Sequence, residues 1–281
     1  MGFLDRLSRG WNLSMSSFTV LRKNKQLLLF PVLSGVSLII LTISYMAILF
    51  APNNWNIGAT FDQRDTVHYI LLFFFYLINY FVIVFFNMAL IHCAKIYFEG
   101  GKPTVSAGLS FSLSRIGDIL AWSAVAATVG LIFRMLEENL GKVGQIIAAI
   151  LGIAWSITTF FVVPVLAYEG LAPIASYKRS VQIMKEKWGE SLGATFSFGI
   201  IQFLAVIIVA ITLFFLGSML NIIVGIILAV IGTFFVFTVI SAAQTIFIAA
   251  VYHKINNQPT QDFDTDTLDN IFIHKEKKGI F

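Results

Sequence analysis

The chain has 281 residues, of which 58% are hydrophobic and only 12% charged, with 28 phenylalanines and a single cysteine. That composition excludes a soluble domain of ordinary surface and a disordered chain, and one cysteine excludes an intramolecular disulfide. The net charge of +4 is not a nucleic-acid signal, because the basic residues are absorbed by topology, as their positions below show.

Residues 1–26 read as an amphipathic helix. Leu4, Leu7, Trp11, Met15, Phe18 and Leu21 recur at spacings of three and four, with Arg6, Arg9, Arg22 and Lys23 elsewhere on the surface. A basic amphipathic helix leading into an apolar run is expected to lie flat at an anionic membrane surface. No cleavable leader is expected, because the first apolar run is too long for one and lacks a small-residue cleavage site.

Residues 27–250 carry six apolar stretches, at about 27–50, 68–92, 116–135, 143–168, 191–216 and 222–250. A hydrocarbon core needs about 20 helical residues, and lipid offers backbone N–H and C=O groups no partner, so each stretch is expected to be a transmembrane helix. Runs such as Ile70-Leu-Leu-Phe-Phe-Phe75 do not alternate as barrel strands would. The fold class is therefore an all-α membrane protein with six transmembrane helices, amphipathic interfacial helices at the cytoplasmic surface, and a tail at 251–281.

Loop charges set the orientation. Of the 19 Lys and Arg residues, 16 fall before the first stretch, between the second and third, between the fourth and fifth, or after the sixth. Only Arg64, Arg134 and Lys142 fall on the other side. The bias predicts cytoplasmic N- and C-termini in a plasma (inner) membrane.

A short motif precedes the first, third and fifth stretches: Ser17-Phe-Thr-Val-Leu-Arg22, Ser110-Phe-Ser-Leu-Ser-Arg115 and Ser180-Val-Gln-Ile-Met-Lys185. It suggests three units, each an interfacial helix followed by a two-span hairpin. Small residues at Gly144, Ala148, Gly152 and Ser156, with Ser123, Ala126, Ala127 and Gly130, predict close packing of the third and fourth spans. Pro31 and Pro164 are expected to bend or cap their helices.

Several segments resemble an uncharacterised family of six-span bacterial and archaeal membrane proteins grouped as a domain of unknown function. They are Leu27-Leu-Leu-Phe-Pro31, Ile119-Leu-Ala-Trp122, Ala126-Ala-Thr-Val-Gly130, Arg134 with Glu137-Glu138, Thr159-Phe-Phe-Val-Val-Pro164, Glu169-Gly170, Arg179-Ser180 and Trp188-Gly189-Glu190. The resemblance covers about residues 5–250. It implies the six-helix fold and no activity, ligand or catalytic residue.

The residues themselves offer little chemistry. Glu137-Glu138 superficially resembles the paired glutamates of intramembrane prenyl-protein proteases, but Lys142 stands where Arg is needed. His68, His92, His253 and His274 have no matching spacing. Asp262, Asp264, Asp266 and Asp269 lack the glycine and the final glutamate of a calcium loop and read as a solvated tail. No phosphate loop, dinucleotide turn, nucleophile elbow or zinc-protease motif occurs. No catalytic residue, metal or cofactor is expected.

Two groups of residues remain. Arg22, Lys23, Arg115, Arg179, Lys185, Lys187 and Trp188 form a candidate surface for lipid or a partner. Asn79, Asn87, Arg134, Glu137 and Glu138 are polar residues in or at the ends of the spans, with Arg134 placed to pair with Glu137 or Glu138. The expected function is non-enzymatic association with membrane lipids, and with a second copy of the chain or an envelope protein, but not with nucleic acid. The alternative is a small-solute or lipid transporter or channel.

Overall fold

The computed structural model describes residues 3–51, 55, 66–256, 258 and 260–263, and at 3–10 and 186–197 the backbone alone. Regular structure among the described residues is entirely helical. Helix α1 spans Phe3–Lys23, and a single 3-10 turn, Lys25–Leu28, leads into α2, Leu29–Phe50. Pro31 lies in the first turn of α2, where its missing N–H costs nothing. Helix α3 is Thr66–Phe98 and α4 is the short Val105–Ser114.

The next stretch, Ile116–Thr158, is 43 residues of helix interrupted at Gly141, whose φ of 55° and ψ of −132° are not helical. The chain reverses there into α5 (116–140) and α6 (142–158). The stacked rings of Trp122 and Trp155, 5.8 Å between centroids, prove the reversal. A straight helix would hold residues 33 apart about 50 Å from each other. After α6 come α7, Val162–Tyr168, then α8, Pro173–Ser218, and α9, Ile222–Ile255.

Five helical stretches are long and apolar enough to cross a membrane, and the one from Ile116 to Tyr168 is doubled by Gly141, giving six legs. Large apolar side chains stand outward along them, among them Ile43, Phe203, Phe215 and Val230, each more than 60% exposed. Hydrocarbon is the solvent that tolerates such a surface. The protein is an all-α membrane protein.

Two departures from the sequence reading concern the legs themselves. The expected fourth span, 143–168, is broken between α6 and α7. Pro164 has no N–H for the carbonyl of Phe160, and its ring clashes there, so the helix restarts at Val162. The expected third interfacial helix is not separate either: α8 runs 46 residues, about 69 Å, and among the described residues its Phe198–Ser218 part is apolar enough to span.

The chain divides into two compact units. Unit one comprises Met1–Pro31, Cys93–Val105 and Lys185–Phe281; unit two comprises Val32–His92 and Ser106–Met184. In unit one, α1 packs on α9. Its buried face is Leu13, Ser14, Ser17, Val20 and Leu21, against a helix rich in buried alanine at 242, 243, 249 and 250. Of the apolar stripe read from the sequence, Leu21 is buried here, while Trp11 and Met15 are exposed and share their face with exposed Arg22. Small serines let two helices approach, and the stripe of larger apolar groups is left for lipid.

Also in unit one, α8 and α9 form a hairpin around glycine contacts: a Cβ on Gly217 would lie 2.7 Å from the Cα of Gly225. Asn221 caps α9, its side-chain oxygen accepting the Ile223 N–H at 2.8 Å. Cys93 is buried, and its Sγ donates to the carbonyl of Thr104 at 3.3 Å.

In unit two, α4 lies against α3. The Ser112 hydroxyl donates to the Phe85 carbonyl at 2.8 Å, and His92 stacks flat on Phe111 at 3.9 Å. Gly144 and Ala148 are buried as the small-residue stripe predicts, but Ser156 is exposed and Trp155 takes over the contact. Gly130 serves another neighbour than expected, since a Cβ there would meet the rings of Tyr76 and Tyr80 on α3.

Candidate functional site

One end of unit two gathers two of the predicted basic residues. α7 ends at Gly170, whose φ of +64° is the left-handed conformation that glycine supplies at a helix terminus. Arg115, at the junction of α4 and α5, lays its guanidinium directly against that glycine; a Cβ there would sit 2.8 Å from one Arg115 nitrogen and 3.1 Å from another. Arg179 on α8 reaches the same turn from the other residue, its Nε donating to Glu169 Oε1 at 3.2 Å.

Each arginine has an acidic neighbour, Arg115 having Asp118 at 3.7 Å and Arg179 having Glu169. The cluster is thus charge-balanced, yet its donors are far from used. At 3.7 Å the Arg115–Asp118 contact is an ion pair without a hydrogen bond, and Arg179 spends one N–H of five. Both side chains are about one-third exposed. In the same unit Trp122, Trp155 and Tyr177 stack in one aromatic group, with ring centroids 5.6–6.3 Å apart. The arrangement fixes two planar cations at one glycine turn.

Ser180 secures this end. Its hydroxyl, fully buried, donates to the Thr158 carbonyl at 2.7 Å and accepts the Phe161 N–H at 3.0 Å. It thereby satisfies two backbone groups released by the break between α6 and α7. Ser17 is buried likewise, but Ser110 is exposed; the buried serine of the middle motif is Ser112.

Unit one holds another predicted residue in an unforeseen setting. Lys23, at the end of α1, forms a 2.5 Å ion pair with Asp262, and the Tyr97 hydroxyl of α3 donates to the other carboxylate oxygen. Asp262 is itself in the left-handed region, φ 64°. The adjacent Phe263 is buried edge-on against Phe98, which also packs on His253. Asp262 is therefore a held residue and not the solvated one the sequence suggested; Asp264, Asp266 and Asp269 lie outside the described residues.

The hydrogen bond with Asp262 raises the Lys23 ammonium above its ordinary 10.5, against a smaller opposing effect of burial. Burial pushes the Asp262 carboxyl up, but hydrogen bonds from Lys23 and Tyr97 with the lysine charge bring it below its ordinary 3.8. A lowered carboxyl contributes stability that is present above its unfolded value and lost as pH falls through the folded one. A raised ammonium contributes stability that is present below 10.5 and lost as pH rises through its higher folded value. The contact is accordingly indifferent to pH near neutrality.

Arg134 pairs as its spacing predicts: its Nε forms an ion pair with Glu138 Oε1 at 2.7 Å, and Glu137 lies 3.7 Å away. Glu138 also accepts from the Tyr69 hydroxyl at 3.1 Å, so the pair ties α5 to α3. Asn79 bonds the Phe75 carbonyl of its own helix at 2.7 Å instead of a neighbouring span, and Asn87 is half-buried. Arg22 and Lys185 are exposed, while the Lys187 and Trp188 side chains lie outside the described residues.

The model of a family of unknown function, DUF6159, matches residues 66–261. The chain belongs to that family. The DUF6159 match takes in Arg115, Arg134, Glu169, Gly170, Arg179 and Ser180, and so the whole arginine site of unit two. It begins after α1 and ends one residue short of Asp262, so of the unit-one contact only Tyr97 falls within it. No curated protein matches the chain.

Sequence reasoning missed Tyr97, Asp262, Phe263 and Ser112. A basic residue ending α1 and an acid after the last span were the only signal for the Lys23 contact. Nothing local links residues so far apart in the chain.

Proposed function

We propose that this is a non-enzymatic inner-membrane protein that holds anionic phospholipid headgroups at its cytoplasmic surface, through Arg115 and Arg179. The observation that carries the reading is the pair of guanidinium groups fixed at the Glu169–Gly170 turn with most of their N–H donors unused. Arginine's planar donors match phosphate oxygens, and basic pockets between spans on the cytoplasmic side suit phospholipid headgroups. The stacked Trp122, Trp155 and Tyr177 supply the interfacial aromatics. The exposed Trp11, Met15 and Arg22 face of α1 is by itself an apolar and basic surface suited to an anionic leaflet. The loop charges favour that leaflet being the cytoplasmic one.

The rival reading, transport of a small solute or lipid, would look to the broken fourth leg, since discontinuous helices often form transporter sites. Here Ser180 occupies both backbone groups at the break, which removes the dipoles a solute would need. Arg134, the other candidate, is committed to Glu138.

The test is native mass spectrometry from phosphatidylglycerol nanodiscs. Arg115→Gln/Arg179→Gln should retain at least about tenfold less phosphatidylglycerol than the parent, because even one lost charge-assisted hydrogen bond is worth about 1.5–3 kcal/mol. Arg115→Lys/Arg179→Lys should fall between, and phosphatidylcholine retention should not change. Equal phosphatidylglycerol retention by the glutamine variant would remove the proposal.

A further inference from the structure

The Lys23 contact has the chemistry of an occupied anion site. Two donors from separate elements, the Lys23 ammonium on α1 and the Tyr97 hydroxyl on α3, converge on one carboxylate. That carboxylate lies after the end of α9, between the buried Thr260 and Phe263. Lys23 remains half exposed, so its ammonium is reachable from outside while it holds Asp262. It follows exposed Arg22 and precedes exposed Lys25, on the helix that turns Trp11 and Met15 outward.

We propose that Lys23 and Tyr97 form a second phospholipid-phosphate site, closed by the chain's own Asp262, which a lipid phosphate displaces on an anionic membrane. The inference rests on the reading of the chain as a binder of phospholipid headgroups, but on a different set of residues. A phosphate monoester or diester offers the donors the same pair of oxygens that Asp262 offers now.

The competition is close enough to switch. A carboxylate on a short tether acts at an effective concentration on the order of millimolar. An anionic leaflet favours each basic residue near it by about fivefold in occupancy, and here Arg22, Lys23 and Lys25 stand together. Around neutral pH both Lys23 and Asp262 keep their charges, so the leaflet's composition, and not acidity, sets the balance. Displacement would free 260–263 from α1 and α3. Lipid composition would thereby decide whether 260–263 is docked or released.

The experiment is hydrogen exchange on the full chain in nanodiscs of phosphatidylcholine or of phosphatidylglycerol, read on the peptide containing 258–263. Protection should be high in phosphatidylcholine and at least fivefold lower in phosphatidylglycerol. Lys23→Gln should show low protection in both. In native mass spectrometry Asp262→Asn should retain more phosphatidylglycerol than the parent, and Lys23→Gln/Asp262→Asn should return to the parental level.

Protection that ignores lipid headgroup, or an Asp262→Asn chain that binds no extra phosphatidylglycerol, would overturn the proposal. So would release of the tail by inorganic phosphate alone in phosphatidylcholine, since the site would then serve a free anion. The Arg115→Gln/Arg179→Gln chain separates the two ideas. If it keeps full lipid retention while the tail still responds, the unit-two reading fails and the Lys23 site stands. If it loses lipid while the parental tail never responds, the reverse holds.

Discussion

Ser180 shows how much one buried hydroxyl can carry where lipid surrounds a chain. Pro164 breaks the fourth leg, and the break releases an acceptor at Thr158 and a donor at Phe161 that no solvent inside a bilayer could satisfy. One serine on α8 serves both. Ser180→Ala should therefore lower unfolding stability by about 1–3 kcal/mol, while Ser110→Ala at an exposed position should change it by less than about 0.5 kcal/mol. Steric-trapping or denaturant unfolding in detergent micelles measures both, and equal stabilities for the two variants would refute the role. The sequence motif pointed to Ser17, Ser110 and Ser180, and two of the three are buried. It slipped by two residues in the middle copy, where α4 ends at Ser114 and α5 begins at Ile116. The residue that faces α3 is then Ser112, and residue type alone does not register such a shift.

At the scale of elements, the six apolar legs were legible because hydrophobic length is a local property, and 20 consecutive apolar residues need no knowledge of neighbours. Facing was less legible. α1 is apolar enough on two sides that periodicity picked out Trp11 and Met15, whereas burial picked Ser14 and Ser17, because against the alanines of α9 it is smallness that decides. Glycines mark the same principle. At the α5–α6 reversal a Cβ on Gly144 would lie 2.0 Å from the Leu136 carbonyl oxygen, which is backbone and has little room to yield. A Cβ on Gly152, two turns on in the same stripe, would meet nothing within 4 Å. Gly144→Ala should thus open the hairpin and destabilise by about 1–3 kcal/mol, and Gly152→Ala should be neutral or slightly stabilising through its better helix propensity. Thermal unfolding of the two variants beside the parent decides it; a Gly144→Ala chain as stable as Gly152→Ala would mean the legs do not approach as described.

For the whole molecule, side-chain contacts fix which loops share a side of the membrane, independently of any charge rule. Lys23 touches Asp262, and Phe98 touches His253 and Phe263, so the ends before the first leg, after the second and after the sixth lie together in unit one. In unit two Arg115 touches the turn at Gly170, so the ends before the third leg and after the fourth lie together. Each pairing demands an even number of crossings between its members, which a reversal at Gly141 supplies. Contacts give parity without direction, and the distribution of Lys and Arg then supplies the direction. In a Cys93→Ser background, Lys102→Cys and Lys178→Cys should react with a membrane-impermeant maleimide only in inverted vesicles. Lys142→Cys and Leu220→Cys, the latter at a residue 82% exposed, should react in intact cells. If Lys142→Cys reacts from the same side as Lys102→Cys, the fold at Gly141 does not reach the far surface and six crossings are wrong. If every pattern is inverted, six crossings survive and the charge bias has been misread, which would also move the Arg115 and Arg179 site, and the Lys23 contact, to the outer leaflet.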